Sequence, residues 1–317
     1  MKTITTVLGR QNPEDLGFCH CHEHLMISKG VSFEQNPVLC MEDVYKSTQE
    51  VIRFREAGGG TIIDAQPGGC NRMECALHSI AEASGVNIIA STGFHKLIFY
   101  PEDHWMRTAE EGFLYDFFLH ELQNGMYTNI DREFHSDCVP YCAGIVKTAL
   151  DVEGLTPVYK KLFTAAAKAS ITADVPLMVH IEDGSDPAGL LAFLLDLGVP
   201  AKRILFCHMD RSVKELSYYT QVLDQGITLE FDTIGRFKYH DDRSEVQLFL
   251  DLMAHGYESQ LLFSLDTTAA RLKTYTPDAI GLDYILNSFV PALKAAGATD
   301  EQIHMISHDN CIHVFTD

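Results

Sequence analysis

No window of the 317-residue chain approaches the roughly 20 uninterrupted apolar residues that a membrane-spanning helix needs. The first ten residues, Met1 to Arg10, contain no apolar core of the kind a secretory leader carries, so no leader is expected. Repeated CxxC pairs are missing, and the nine cysteines form an odd, scattered set. That argues against a disulfide framework and for a reduced, intracellular protein, with the cytoplasm as the expected compartment. Positive charge is also scarce. Lys and Arg total 24 against 44 Asp and Glu, a net charge of -20 that repels both nucleic acid and anionic membranes, so neither is an expected partner. With 46% hydrophobic residues and ordinary glycine and proline content, the chain suits a large globular unit and not disorder or a fibrous repeat.

What is present is a recurring alternation. Short apolar runs rich in β-branched residues stand at 17–22, 61–65, 86–91, 142–147, 176–180, 203–208, 227–232 and 261–266. Near-continuous apolar runs fit strands buried on both faces, as in a parallel sheet. Helix-like segments lie between them, at 43–57, 156–173, 187–197, 215–225 and 244–255. Several stop at glycine (Gly58, Gly198, Gly226 and Gly256), the usual punctuation before the next strand. Eight such alternations with no linker predict an α/β fold, a single-domain (β/α)8 barrel over residues 1–317. An open doubly wound sheet is the alternative, but no Gly-rich phosphate loop follows the first strand. One connection, Gly93 to Tyr141 after the third strand, is much longer than the rest. It carries His95, Lys96 and Tyr100 just behind a strand end, where they are candidates to face a substrate. An aromatic helix follows over 113–127, with Phe113, Phe117, Phe118 and Leu122 expected to pack on the barrel.

In such a barrel the C-terminal strand ends share the face where active sites sit. Read as a strand, Gly17–Leu25 places His22 and His24 on one face, one pleat apart. Across the strand ends the chain then offers His22, His24, Lys147, His180, His208 and Asp266. Each alone has an ordinary structural explanation, but five strands presenting ligand types at one rim form a metal-site inventory. Lys147 is the odd member: a protonated amine cannot bind a metal. It fits only if uncharged, or converted by carbon dioxide to a carbamate that supplies two oxygens.

These residues carry a resemblance. Thr6-Val7-Leu8-Gly9, Leu16-Gly17-Phe18 and His22-Glu23-His24-Leu25 are similar to the phosphotriesterase family of the amidohydrolase superfamily. So are Ala143 to Lys147, His180, His208-Met209-Asp210, Phe231 to Gly235, Ser264-Leu265-Asp266 and Gly281 to Leu286, which together span essentially the whole chain. The resemblance implies two divalent metal ions, usually zinc. His22, His24 and Asp266 would hold the buried ion and His180 and His208 the exposed one, with carbamylated Lys147 and a hydroxide bridging them. Such a pair of ions lowers the pKa of the shared water toward about 7 and polarises the substrate oxygen. Asp266 is then the catalytic residue that would accept the proton and deliver it to the leaving group. A homodimer is common in that family.

The family includes organophosphate triesterases, acyl-lactone lactonases and lactonases acting on phosphorylated sugars. Triesterases place a histidine one position after the aspartate ending the seventh strand, with an acidic partner after the sixth. This chain has Thr233 and Arg211 there, so that proton relay is not expected. The loops after strands seven and eight bring Arg236, Lys238 and Tyr239, and Arg271, Lys273 and Tyr275. Those loops often form a phosphate site in barrels, and Arg, Lys and Tyr suit phosphate oxygens. With Lys96 they form the expected substrate-binding set for a small anionic molecule. The preferred expectation is hydrolysis of phosphorylated sugar 1,4-lactones. The alternatives are a promiscuous carboxylesterase or phosphodiesterase, an acyl-lactone lactonase, and, more distantly, a metal- and anion-binding protein without turnover.

Overall fold

A computed structural model describes residues 2–212 and 214–316. A small antiparallel hairpin, β1 (Ile4–Thr6) and β2 (Gly9–Gln11), precedes the barrel. Eight parallel strands then follow in one sheet: β3 (Phe18–Glu23), β4 (Gly59–Asp64), β5 (Asn87–Gly93), β6 (Ile145–Leu150), β7 (Leu177–Ile181), β8 (Ile204–Cys207), β9 (Thr228–Phe231) and β10 (Leu261–Phe263). Their spatial order is their chain order, so the predicted (β/α)8 architecture holds.

The seam between β3 and β10 is sewn by side chains. Glu23 Oε1 accepts the Leu265 amide (3.0 Å) and Oε2 the Thr267 amide (3.1 Å), while the His22 amide donates to Ser264 Oγ (2.9 Å). Burial pushes the Glu23 carboxyl up, but its bonds from His20, Thr267 and Ser264 hold it below the usual range. The bore is filled by Cys19, Cys21, Ile63, Ile89, Ile145, Met178, Leu205, Cys207 and Leu262, and plugged from below by Ile4, Leu16, Cys311 and Phe315. A second, larger core lies between strands and helices. All nine cysteines are unpaired. No helix among the described residues is long and apolar enough to cross a membrane.

Local chemistry explains the helix starts. Asp43 caps Val44–Glu56 by accepting the Lys46 amide (3.1 Å), and Thr156 caps Pro157–Ala173, with proline at the first helical position. The helix Glu111–Gln123 of the long connection buries Leu114, Phe117, Phe118 and Leu122. Phe113, expected on the barrel side, is instead 39% exposed and packs edge-on against Trp105 and Phe134; helical phase puts Leu114 in its place. A buried ion pair fastens this insertion to the barrel: Arg72 Nη2 meets Glu121 Oε1 at 2.7 Å, and Thr92 Oγ1 donates to Glu121 Oε2 at 2.6 Å.

Within the insertion itself, His104 is a pH-sensitive tie between its first helical turn and the segment around Asp131. Its Nδ1 accepts the Met106 amide (3.1 Å) and its Nε2 faces the Asp131 carbonyl (3.1 Å), an arrangement only the neutral ring satisfies. Burial lowers its pKa to about 4. The unfolded chain binds the proton near pH 6.5, so stability is lost as pH falls from about 6.5 toward 4. We expect proteolysis within the 95–141 segment to accelerate over that window, and His104→Gln to flatten the dependence.

Candidate metal centre

Five of the eight strands, β3, β6, β7, β8 and β10, bring the expected ligands to the C-terminal mouth of the bore. On β3 the strict alternation fails usefully. Cys19 and Cys21 both face the bore, yet His22 also turns toward it, because the pairing of β3 with β4 shifts register between His20 and Glu23. The His22 and His24 rings end 5.5 Å apart, and the His22 and His208 rings 4.7 Å apart. Asp266, after β10, faces both β3 histidines: its Oδ1 is 3.8 Å from His22 Nε2 and 3.5 Å from His24 Nε2. The His180 and His208 rings lie 4.3 Å apart across β7 and β8. Five of the six expected ligands therefore converge here.

Lys147 needs a correction of place. It is the third residue of β6, not the residue that ends the strand, since the strand begins at Ile145 and the small residues 142–144 only lead into it. Its length still carries Nζ up the bore to within 3.2 Å of His22 Nε2. Gly93 makes room for this strand: a Cβ there would fall on the Lys147 carbonyl oxygen, and its φ of +113° already favours glycine.

His208 and Asp266 both adopt left-handed backbone, with φ of 63° and 49°. This conformation costs non-glycine residues roughly 1–2 kcal/mol, and it turns both side chains inward from strand ends. His208 is held by Asp232, whose Oδ1 lies 2.6 Å from Nδ1 and whose Oδ2 accepts the His208 amide (3.1 Å). Leu25 N–H and Gln66 N–H donate to Asp64, which steadies the loop after β3. Beneath the site, His22 Nδ1 faces Glu230 Oε2 (3.4 Å) and Asp232 Oδ2 (3.5 Å).

The electrostatics suit cations. Burial drives His22, His180 and His208 well below the ordinary imidazole range, so their ring nitrogens are neutral donors. Burial likewise lowers the Lys147 amine. Asp266 stays well below the carboxylate range despite its burial, because Arg236 and the neighbouring imidazoles favour its charged form. The Nδ1 atoms of His22 and His24 are buried without a hydrogen-bond partner. Neutral imidazoles, an ionised carboxylate and an amine pushed toward neutrality fit divalent metal ions.

Above this floor opens a cavity of about 440 Å³, within the range of roughly 300–1,000 Å³ for small-molecule sites. His24, His180, His208 and Asp266 form its base, and Lys96, Arg211, Arg236, Lys238 and Arg271 line its walls. Of these cations, Arg236 Nη1 lies 3.1 Å from Asp266 Oδ2, Arg271 donates to the Ile234 carbonyl (2.5 Å), and Lys96 and Arg211 meet Glu182 (2.7 and 3.4 Å). Lys238 has no hydrogen-bond or ion-pair partner among the described residues; its Nζ lies 4.6 Å from the Tyr239 ring centre. Burial lowers the Arg271 pKa to about 10.

Three expected substrate contacts are not among the lining residues. Lys273 is bound to Asp283 (2.7 and 2.9 Å), and the Tyr275 hydroxyl to Ser47 and the Asp43 carbonyl, so both brace the loop instead. Tyr239 lies outside the lining too, against Lys238 and Arg236. Tyr100 is buried, its hydroxyl accepting the His95 amide (2.9 Å), whereas His95 joins the lining. Glu182, Glu230 and Asp232 were not expected. Glu182, two residues past His180, meets His180 Nε2 at 2.9 Å and both wall cations.

A barrel whose mouth gathers four histidines, a lysine and an aspartate under a cation-lined cavity is a candidate metal centre of the kind hydrolases use. Comparison with known proteins agrees with that class. The chain belongs to the phosphotriesterase family, whose family model matches residues 2–315. A phospho-furanose lactonase of Mycoplasmopsis agalactiae is 28% identical, over 98% of this chain and 90% of that protein. The crystal structure of an amidohydrolase from Mycoplasma synoviae superposes with a TM-score of 0.94 at 27% identity, covering 99% of this chain and 92% of that one. A lactonase from Listeria monocytogenes gives 0.90 at 26% identity, with 99% of each chain covered. The protein is thus an ester-hydrolysing enzyme of this family.

Proposed function

We propose that the enzyme opens phosphorylated sugar 1,4-lactones. The observation that carries this is the cation-rich wall: five cationic side chains line one cavity of a protein whose net charge is -20. The phospho-furanose lactonase relative supports the same substrate class. Water adds to the lactone carbonyl carbon, the bond to the ring oxygen breaks, and the ring oxygen leaves as a hydroxyl. Asp266 takes the water's proton on a carboxylate oxygen and returns it to the ring oxygen. Arg236, 3.1 Å away, keeps that carboxylate ionised between turnovers. Lys238, Arg236, Arg271 and Lys96 hold the remote phosphate.

Two divalent ions, zinc in this reading, would be held by His22, His24 and Asp266 and by His180 and His208, with carbamylated Lys147 shared between them. When bound they supply Lewis acidity and a water of lowered pKa. Thr233, whose hydroxyl meets His240 Nε2 at 2.8 Å, and Arg211, which meets Glu182, leave no histidine–carboxylate relay at the triesterase positions. Efficient organophosphate turnover is therefore not expected.

The test is kcat/KM of zinc-loaded enzyme on a pentono-1,4-lactone with and without its 5-phosphate. A preference of two or more orders of magnitude, about 2.7 kcal/mol, is expected. Equal rates would remove the phosphate from the reading. A second reading, a neutral lactone bearing an acyl chain, is favoured by the apolar flank of Val38, Leu39, Phe99 and Phe237. It predicts faster turnover as the acyl chain lengthens.

A further inference from the structure

A second group of ligand-type side chains lies behind the catalytic mouth. Asp210 follows β8, and His240 and Glu245 flank the start of the helix Asp242–Ala254. One ligand atom from each lies within 4.8 Å of the others. His240 Nε2 is 3.1 Å from Glu245 Oε2, and both acids are 2% exposed. Asp210 Oδ2 accepts the Thr233 amide (2.7 Å), but Asp210 Oδ1 and Glu245 Oε1 are buried with no hydrogen-bond partner. The His240 Nε2 atom also meets the Thr233 hydroxyl (2.8 Å), so one imidazole serves two buried carboxylates that each keep an oxygen without a partner, an arrangement that is costly unless a cation joins it. The charges acting on Glu245 from Asp210, Asp232 and Asp242 are all like-signed. A separate cavity of about 450 Å³ reaches the cluster and shares no lining residue with the catalytic one.

We propose that Asp210, His240 and Glu245 bind a third divalent cation of the zinc class, distinct from the catalytic pair. One imidazole and two carboxylates are an ordinary three-residue set for zinc, cobalt or manganese. The site ties the segment 236–240 to the barrel. That segment carries Arg236 and Lys238 in the wall of the catalytic cavity at one end and His240 in the cluster at the other. The ion thereby fixes the approach of the phosphate-holding cations, a consequence that rests on the proposed substrate class; the binding of the ion does not.

Zinc content per chain after dialysis, read by elemental mass spectrometry, separates the two. Wild type is expected to retain three equivalents, and Glu245→Gln and His240→Asn two each. His24→Asn is expected to lose zinc from the catalytic pair while keeping the ion at Glu245. An anomalous-difference map of wild-type crystals grown with zinc gives the answer independently of whether the variants fold. A peak between Asp210, His240 and Glu245 is expected. Its absence at millimolar zinc, with two equivalents retained in wild type and in Glu245→Gln alike, overturns the third site and leaves the catalytic pair standing. A peak there with no metal among His22, His24, His180 and His208 does the reverse.

Discussion

Lys147→Ala is expected to lower kcat/KM by roughly 1,000-fold or more, about 4 kcal/mol, and to cut the metal held at the catalytic mouth from two ions to one or none. The nitrogen sits in the bore, fully buried, with His22 Nε2 at 3.2 Å and Met178 Sδ at 3.8 Å. No carboxylate forms an ion pair with it among the described residues. Burying an ammonium there is costly, and the fall in its pKa expresses that cost. A neutral amine is the form that combines with carbon dioxide, and the resulting carbamate would put oxygens where imidazoles from β3, β7 and β8 converge. A purely structural lysine predicts something else. Truncation would then leave a cavity and lower the melting temperature, with metal content unchanged in whatever remained folded. Lys147→Met separates the two, because it keeps most of the buried volume and removes only the nitrogen. Metal loss in Lys147→Met with a melting temperature near wild type supports the bridging role; full metal content and activity in that variant would exclude it.

The residues that meet at the mouth are legible in the sequence because most are polar types at the end of a run that is otherwise apolar. The reasons behind them were less legible. Simple alternation put His22 and His24 on one face, and they do converge, but through a register shift that turns Cys21 and His22 both inward. The sixth-position error of β6 has a similar origin: Cys142-Ala143-Gly144 is small and apolar, and nothing in a one-dimensional pattern distinguishes a lead-in from the strand itself. The helix Glu74–Ser84 lies outside the helical segments expected from sequence, although Ala76, Leu77, Ile80 and Ala81 carry a helical apolar face. Supporting acids were invisible for a deeper reason. Glu23 closes the barrel on residues 241 to 244 positions away, and Glu182 shares one carboxylate among Lys96, His180 and Arg211. Local sequence does not separate such an acid from one that caps the next helix.

The same blindness applies to cations, and it leads to the most discriminating substitution. Sequence alone ranked Arg236, Lys238, Arg271 and Lys273 together as phosphate donors. The structure ranks them by what they already hold: Lys273 is taken by Asp283, Arg236 by Asp266, and Arg271 by the Ile234 carbonyl. Lys238 lines the cavity and carries no carboxylate partner among the described residues. A free ammonium over a mouth of this kind loses least on meeting a phosphate, since no existing bond must break. A hydrogen bond to a charged group is worth about 1.5–3 kcal/mol, so Lys238→Ala is expected to raise KM for the 5-phosphorylated lactone roughly 10- to 100-fold. On the unphosphorylated lactone it should change little, and kcat should hold on both, because the side chain acts remotely from the carbonyl. Lys273→Ala is the matched control: it removes the same charge from the neighbouring loop and leaves both substrates unaffected apart from any loss of stability. Equal losses for Lys238→Ala on both lactones would mean that the residue shapes the loop and not the anion site, and Lys96, Arg236 and Arg271 would then be the remaining donors.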